Sequence, residues 1–169
     1  MKKVLFVASE AVPFIKTGGL ADVVGSLPKC FDKKYFDVRV MIPKYLCIKE
    51  QFRNEMTYLG HFYMDYLGQS RYVGILQYVY EGITFYFIDN EHYFGRPGLY
   101  SYDDDNERFA YFDFAVLEMM SHLDIKPDIL SLHDWQAAMI APLYKERYGY
   151  YEFYRNIKIT FTIHNIAYQ

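Results

Sequence analysis

Lys16-Thr17-Gly18-Gly19-Leu20 is the stretch from which the fold of this chain of 169 residues is best deduced. It lies between an apolar, strand-like run at residues 4–8 and a helix-like run at residues 20–31. Two glycines let the backbone approach a ligand closely, a helix N-terminus presents unpaired N–H groups, and the lysine adds a mobile positive charge. The stretch therefore predicts an anion site between a strand and a helix, and it favours a substrate that carries phosphate.

A purely structural interpretation of the same stretch stays open. In that interpretation the glycine pair only shapes a tight turn from strand to helix, and Lys16 is a solvated surface charge. The stretch matches neither the dinucleotide-binding pattern GxGxxG nor the P-loop pattern GxxxxGK[ST], so neither of those mechanisms can be transferred to it. Features elsewhere in the sequence are needed to distinguish the two interpretations.

Alternating apolar segments along the chain predict an α/β fold with a doubly wound, mainly parallel sheet and helices on both faces. The pair of strands around Glu81-Gly82 has the pattern of a hairpin. Asp104, with Glu107 three positions later, resembles a capping box that opens a helix, although the acidic loop around it could also serve a ligand. The periodicity places strands at residues 3–9, 37–42, 71–80, 83–88, 128–132 and 157–163, and helices at residues 20–31, 108–122 and 136–148.

Composition excludes several classes of function. With 52% hydrophobic and 23% charged residues, the chain is typical of one compact domain. A net charge of -3 and a pI near 5.9 give no basic surface for nucleic acid. No apolar run approaches the roughly 20 residues of a membrane span, and the N-terminus does not have the pattern of a signal peptide. We therefore expect no nucleic-acid partner, no membrane association, a cytoplasmic location and two reduced cysteines, Cys30 and Cys47.

Polar side chains follow three of the predicted parallel strands at the point where each strand ends. Ser9 and Glu10 follow the first strand, His133-Asp134-Trp135 a later one, and His164-Asn165 the last. Because ligands of open α/β sheets bind beyond the carboxyl ends of the strands, these groups are expected to converge at one edge. Together with Lys16 they offer donors for phosphate and acceptors for sugar hydroxyls, which favours a phosphorylated or nucleotide-linked carbohydrate.

Other chemistries receive less support from the sequence. The spacing of His133, Asp134 and His164 matches no compact metal-ligand motif, so no metal is expected. Neither Ser9 nor Ser131 lies in a GxSxG elbow, which argues against a Ser-His-Asp hydrolase. The remaining histidines are interpreted as structural, and Trp135 as a packing residue.

The glycine-bearing stretch and the polar motifs at the strand ends together resemble those of bacterial glycogen synthases and plant starch synthases. The most specific match is the glycine-bearing stretch directly after the first strand. The C-terminal motif, residues 164–169, corroborates it independently. The likeness extends from end to end of the chain. The residues that carry the resemblance are Ser9-Glu10, Pro13, Lys16-Thr17-Gly18-Gly19-Leu20-Ala21-Asp22-Val23, Arg96-Pro97-Gly98-Leu99-Tyr100, Glu107-Arg108-Phe109, His133-Asp134-Trp135-Gln136 and His164-Asn165-Ile166-Ala167-Tyr168-Gln169.

The resemblance implies a retaining glucosyltransferase that moves glucose from ADP-glucose to the non-reducing end of an α-1,4-glucan such as glycogen. It implies the GT-B architecture, in which two Rossmann-like domains face each other across a cleft. Residues 1–169 would form the N-terminal, acceptor-side domain, and a C-terminal nucleotide-binding domain of the same polypeptide would follow. The resemblance implies neither a cofactor nor a catalytic metal, and we expect the 169-residue fragment alone to be inactive.

The resemblance also assigns roles to residues. Lys16 would contact the donor phosphates, with the Gly18 and Gly19 backbone close by, and His164 and Asp134 would contact the transferred glucose. Ser101 departs from the family pattern, because glycine is expected there. Contributors to donor or acceptor binding would be Glu10, Asp22, Tyr100, His133 and Asn165.

Two alternatives stay open at this point, and only the second is from another class of protein. One is a related GT-B transferase that uses UDP-glucose or a small acceptor. The other is a glucan-binding domain without catalysis of its own.

Overall fold

A computed structural model of the chain describes residues 1–166, and it contains one seven-stranded sheet with the strand order β3-β4-β5-β2-β1-β6-β7. The last three residues of the C-terminal motif quoted above, 167–169, lie outside the described residues. The strands are β1 (Lys2–Val7), β2 (Phe36–Pro43), β3 (Thr57–Tyr66), β4 (Gln69–Tyr80), β5 (Ile83–Asp89), β6 (Ile129–His133) and β7 (Lys158–Thr162). The helices are α1 (Gly19–Ser26), α2 (Glu50–Glu55), α3 (Glu91–Phe94), α4 (Asp105–His122) and α5 (Ile140–Leu143).

Five of the seven strands run parallel, which confirms the predicted fold class. β1 pairs with β2 on one side and with β6 on the other, β2 pairs with β5, and β6 pairs with β7. The chain therefore moves one way from β1 to β2 and the opposite way from β6 to β7. Because such crossovers are right-handed, α1 covers one face of the sheet and α5 the other. The reversal next to β1 creates a crevice at the carboxyl ends of β1 and β6.

The hairpin predicted at residues 71–80 and 83–88 is confirmed by the antiparallel pairing of β4 with β5. Glu81 and Gly82 form the turn with φ values of 49° and 76°. Positive φ at both central residues matches the right-handed twist of the flanking strands. β3 adds a second antiparallel pair at the edge of the sheet.

The first helix is shorter than predicted. α1 ends at Ser26, and a 3-10 turn, Leu27–Cys30, replaces the expected continuation to residue 31. Pro28 lies in this turn and has no N–H with which to continue the α-helical hydrogen bonds. The prediction of a continuous helix over residues 20–31 was therefore wrong at its C-terminal end.

The capping box predicted at Asp104 and Glu107 is also wrong. Asp104 is the N-cap residue of α4, but its side chain makes no cap hydrogen bond. It accepts two bonds of 2.6 Å from the guanidinium of Arg96 instead. The Glu107 carboxylate accepts a 2.7 Å hydrogen bond from the Tyr93 hydroxyl. Both carboxylates therefore hold the preceding loop in place.

The helix predicted over residues 136–148 is broken into three parts. A 3-10 turn (Trp135–Ala137), α5, and a π-turn (Tyr144–Tyr148) follow one another. Pro142 cannot donate the helical hydrogen bond to the carbonyl of residue 138, and the buried Asp113 carboxyl of α4 lies close to the backbone N–H groups of Met139 and Ile140. Burial raises the pKa of the Asp113 carboxyl well above its ordinary value.

The segment before Lys16 is fixed by Phe14, whose side chain is buried in the core. Its ring packs edge to face against four aromatic rings at centroid distances of 4.8–5.4 Å: Phe52, Tyr78, Phe85 and Phe87. Full burial of a phenylalanine stabilises a fold by about 1.5–3 kcal/mol. The loop that carries Lys16 is therefore tied to the sheet at its start. Within residues 1–166, no helix is long and apolar enough to cross a membrane.

Candidate active site

The predicted convergence of polar groups at one edge of the sheet is confirmed. β1, β6 and β7 are parallel neighbours, so their carboxyl ends lie side by side. The Asp134 carboxylate, after β6, accepts a 2.6 Å hydrogen bond from the backbone N–H of His164, after β7. It also accepts one of 3.4 Å from the N–H of Asn165. We call this region, where β1, β6 and β7 end, the carboxyl edge.

Asp134 has a backbone conformation that few residues other than glycine adopt. Its φ is 59°, in the left-handed region, and its N–H donates to the carbonyl of Thr162 at 3.0 Å. The residue is buried, and this turn directs its carboxylate at the chain segment after β7. Unusual backbone geometry of this kind is found at functional sites when surrounding contacts impose it.

His133 and His164 form a hydrogen-bonded pair at the carboxyl edge. The His133 Nδ1 and His164 Nε2 atoms are 2.9 Å apart, the ring planes differ by 20°, and the centroids are 5.1 Å apart. Since the nitrogens are closer than two stacked rings can be, the imidazoles lie edge to edge in nearly one plane. His133 is buried, and burial followed by the charge of His164 lowers its pKa from 6.5 to about 4. His164 is only half-buried, so part of this residue remains open to solvent.

Glu10 holds the glycine loop, which we define as residues 16–19, against the end of β1. Its carboxylate is buried and accepts from the backbone N–H of Thr17. The Thr17 hydroxyl donates to the same carboxylate at 3.0 Å. Glu10, predicted to contribute to ligand binding, therefore acts in this structure by positioning the loop that contains Lys16.

Lys16 extends from the glycine loop and pairs with Asp22 of α1. Its Nζ atom lies 2.7 Å and 2.8 Å from the two carboxylate oxygens, and about half of each side chain is exposed. No described side chain caps the N-terminus of α1, where Gly18 occupies the N-cap position. A cation and unblocked helix N–H groups therefore lie together on the solvent side of the loop, as an anion site requires.

The structure supplies no steric reason for glycine at positions 18 and 19. A Cβ atom added at either residue would meet nothing within 4 Å. Gly18 is in an extended conformation that any residue adopts, and neither residue has positive φ. Gly25 in the same helix differs, because its Cβ would collide with the backbone and side chain of Val12. The interpretation of Gly18 and Gly19 as mere turn formers is therefore not supported.

Tyr100 approaches the carboxyl edge from the loop before α4. Its hydroxyl shares a 2.6 Å hydrogen bond with Ser9, and burial, followed by the charge of Glu10, raises its pKa. Ser101, where the resemblance led us to expect glycine, has a φ of 73° and donates its N–H to Asp105 at 2.8 Å. The loop thus keeps the backbone shape that glycine favours, with serine in place.

Trp135 packs against Phe109 of α4 at a centroid distance of 5.3 Å, as a packing residue would.

A cavity of about 280 Å³ lies between α1 and the histidine pair, with Val23, Leu27, His133 and His164 among its lining residues. Within residues 1–166, no three His, Cys, Asp or Glu side chains are grouped so as to hold a metal ion.

Sequence reasoning missed three residues that support the carboxyl edge. Ser131 and Thr160 form a hydrogen-bonded chain to His133, and Ser131 could have been found because residues two apart on a strand share a face. The buried guanidinium of Arg108 holds the Tyr100 loop by donating to the carbonyls of Tyr93 and Leu99 at 2.7 and 3.0 Å. Arg108 lies in one of the stretches that carry the resemblance, but nothing in the sequence indicates that it holds this loop.

The fold and the carboxyl edge define an open-sheet α/β protein whose candidate site lies at a reversal of strand order. The family described as the starch synthase catalytic domain matches residues 3–169, and the chain belongs to that family.

Relatives agree with this assignment. The chain is 54% identical over its whole length to a glycogen synthase of Lachnospira eligens and 52% identical over 99% of its length to one of Desulforamulus reducens. It spans only 36% and 35% of the lengths of these two proteins. The catalytic domain of starch synthase IV from Arabidopsis thaliana, solved with ADP and acarbose, superimposes on 99% of the chain with a TM-score of 0.92 at 35% identity. The chain covers 35% of that domain.

Proposed function

We propose that the full-length protein transfers glucose, with retention of configuration, from ADP-glucose to the non-reducing end of an α-1,4-glucan such as glycogen. Residues 1–169 would be the N-terminal, acceptor-side half of a GT-B enzyme, completed by a C-terminal nucleotide-binding domain. The observation that carries the proposal is the convergence of the glycine loop and the Asp134–His164 contact at neighbouring strand ends. This arrangement suits a ligand that is phosphate at one end and sugar at the other.

Lys16 and the backbone of Gly18 and Gly19 would bind the diphosphate of the donor. The open space over both glycines allows a phosphate oxygen to reach the first N–H groups of α1. Lys16 would exchange the Asp22 carboxylate for phosphate, an exchange that the half-exposed ion pair permits. Because negative charge grows on the leaving ADP, a fixed cation stabilises the transition state more than the ground state.

Asp134 and His164 would hold the transferred glucose. The accessible edge of His164 offers a ring nitrogen to a sugar hydroxyl, and Asp134 fixes the backbone that carries this imidazole. Glu10 and Asp134 are not a glycosidase pair in this proposal, since Glu10 is occupied by Thr17. The phosphate of the donor would assist the attacking hydroxyl, with no metal and no cofactor.

The relatives support the proposal in two respects. The Arabidopsis domain was solved with ADP and with acarbose, a nucleoside diphosphate and a sugar-like molecule of the two kinds that the site is proposed to accept. Proteins that are identical to this chain at about half of its positions carry the name glycogen synthase. A cytoplasmic location remains part of the proposal.

The decisive experiment measures incorporation of labelled glucose into glycogen by the full-length gene product, without added metal. ADP-glucose and UDP-glucose are supplied in parallel, and a Lys16→Ala variant is compared with Lys145→Ala, which removes an exposed lysine outside the carboxyl edge. Incorporation from ADP-glucose that falls only in Lys16→Ala supports the proposal. Preference for UDP-glucose would favour the alternative transferase. Glycogen binding without incorporation from either donor would favour a non-catalytic glucan-binding protein.

A further inference from the structure

Four side chains form a continuous hydrogen-bonded chain from the edge strand to the accessible histidine. The Thr160 hydroxyl of β7 donates to Ser131 Oγ of β6 at 3.2 Å. Ser131 Oγ lies 3.2 Å from His133 Nε2, and His133 Nδ1 lies 2.9 Å from His164 Nε2. Ser131 and His133 are buried, whereas Thr160 is exposed on the edge strand.

The direction of these hydrogen bonds follows from the donation of Thr160 to Ser131 and from the number of protons that each group carries. Burial lowers the pKa of His133 to about 4, so its ring is neutral near pH 7 and carries one N–H. Ser131 accepts from Thr160, which leaves its own proton for His133 Nε2. His133 must then carry its proton on Nδ1 and donate it to His164 Nε2. The opposite arrangement would need the bond between Thr160 and Ser131 to run the other way, from the Ser131 hydroxyl to Thr160 Oγ1.

We propose that Ser131 and Thr160 are positioning residues that fix His164, through His133, as the tautomer protonated on Nδ1. His164 then presents an N–H donor, rather than a lone pair, at its accessible edge. A sugar hydroxyl would meet this donor in a fixed orientation, because the in-plane bond to His133 prevents the ring from turning. The catalytic consequence rests on the proposed function, whereas the tautomer itself does not.

The first test reads the tautomer directly. Imidazole ¹⁵N spectra of the 169-residue chain, labelled at histidine, are recorded for wild type, Ser131→Ala, Thr160→Val and Thr160→Ser. The signals of His164 are assigned from their loss in His164→Gln. We expect protonated Nδ1 and unprotonated Nε2 at His164 in wild type and Thr160→Ser, and a mixture of tautomers in Ser131→Ala and Thr160→Val.

Ser70→Ala and Thr57→Val are matched controls, because they remove the same groups from β4 and β3 at the far edge of the sheet. Both should leave the His164 spectrum unchanged. Protonation of His164 on Nε2 in wild type would overturn the proposal. An unchanged His164 tautomer in a folded Ser131→Ala variant would overturn it equally.

The second test measures transfer kinetics in the full-length gene product. Loss of one orienting hydrogen bond should lower kcat by roughly three- to tenfold in Ser131→Ala and Thr160→Val, with the donor KM near that of wild type. Thr160→Ser should restore the rate. A normal kcat in both variants would refute the positioning role. Absence of transfer by the wild type would refute the proposed function instead, and the ¹⁵N spectra would still decide the tautomer.

Discussion

The three glycines at the start and end of α1 allow the ligand and turn interpretations of the glycine loop to be separated. Gly19→Ala adds a Cβ with no neighbour within 4 Å at a residue without positive φ. Such a substitution stabilises a fold by about 0.4–1 kcal/mol through the unfolded state, which raises Tm by roughly 1–4 °C for a chain of this size. The folded protein should therefore tolerate the change.

Gly25→Ala is the matched comparison in the same helix. Its Cβ would lie well inside contact distance of the carbonyl oxygen and Cγ2 of Val12, and the backbone atom cannot rotate away. Overpacking of this kind costs about 1–3 kcal/mol, so Tm should fall by roughly 2–12 °C. The same substitution, six residues apart, is thus expected to change stability in opposite directions.

The effect on donor use should be the opposite of the effect on stability: Gly19→Ala should impair it more than Gly25→Ala. A methyl group over the loop displaces a phosphate that would otherwise approach the N–H groups of α1, and displacements of about 1 Å can lower rates by roughly a hundredfold. Thermal unfolding followed by circular dichroism gives the stability, and initial rates with ADP-glucose in the full-length protein give the donor effect. A Gly19→Ala variant that is destabilised, or that uses ADP-glucose at the wild-type rate, would refute the ligand interpretation of the glycine loop.

Three further predictions concern single side chains. Lys16→Ala should lower kcat/KM for the donor by roughly a hundredfold while stability, measured by thermal unfolding, changes by less than about 1 kcal/mol, because the ion pair with Asp22 is half-exposed. Ser101→Gly should raise stability in urea by about 0.5–1 kcal/mol, since relief of the φ of 73° outweighs the entropy of an added glycine; a lower midpoint would contradict this. His133 has a folded pKa of about 4 against 6.5 when unfolded, so the unfolded state binds more protons between these values. Stability should therefore fall as pH decreases through that window, by up to about 3 kcal/mol, and urea unfolding of His133→Asn should show a smaller loss.

The parallel part of the fold could be predicted because its strands are short apolar runs that end at polar motifs. β1, β2, β6 and β7 were placed to within a few residues, and their adjacency brought the predicted site residues together. β3 was missed because the bulge between Tyr58 and Gly60, with φ of 132° at Gly60, interrupts the alternation of its side chains. Two of its exposed side chains, Tyr58 and Tyr63, are also aromatic, which blurs the contrast between the two faces.

The details that failed depend on partners distant in sequence. Asp104 was expected to cap α4, and only the structure shows that Arg96 takes its carboxylate. The buried Asp113 that lies close to the N–H groups of Met139 and Ile140 belongs to a different helix, so no local pattern reveals it. The roles proposed for Lys16, Asp134 and His164 stay predictions until substrate is bound or transferred.

The pairing of β1 with β6 has a consequence for the order of folding. It joins Val4 to Ile129, whereas β3 pairs with β4, and β4 with β5, across short turns. Closing a long loop costs more entropy than closing a hairpin, and non-local pairings form slowly. The antiparallel edge is therefore expected to form early, and the crevice between β1 and β6 late. A polypeptide emerging from the ribosome would hold the three strands of its antiparallel edge before the contact between Asp134 and His164 could form.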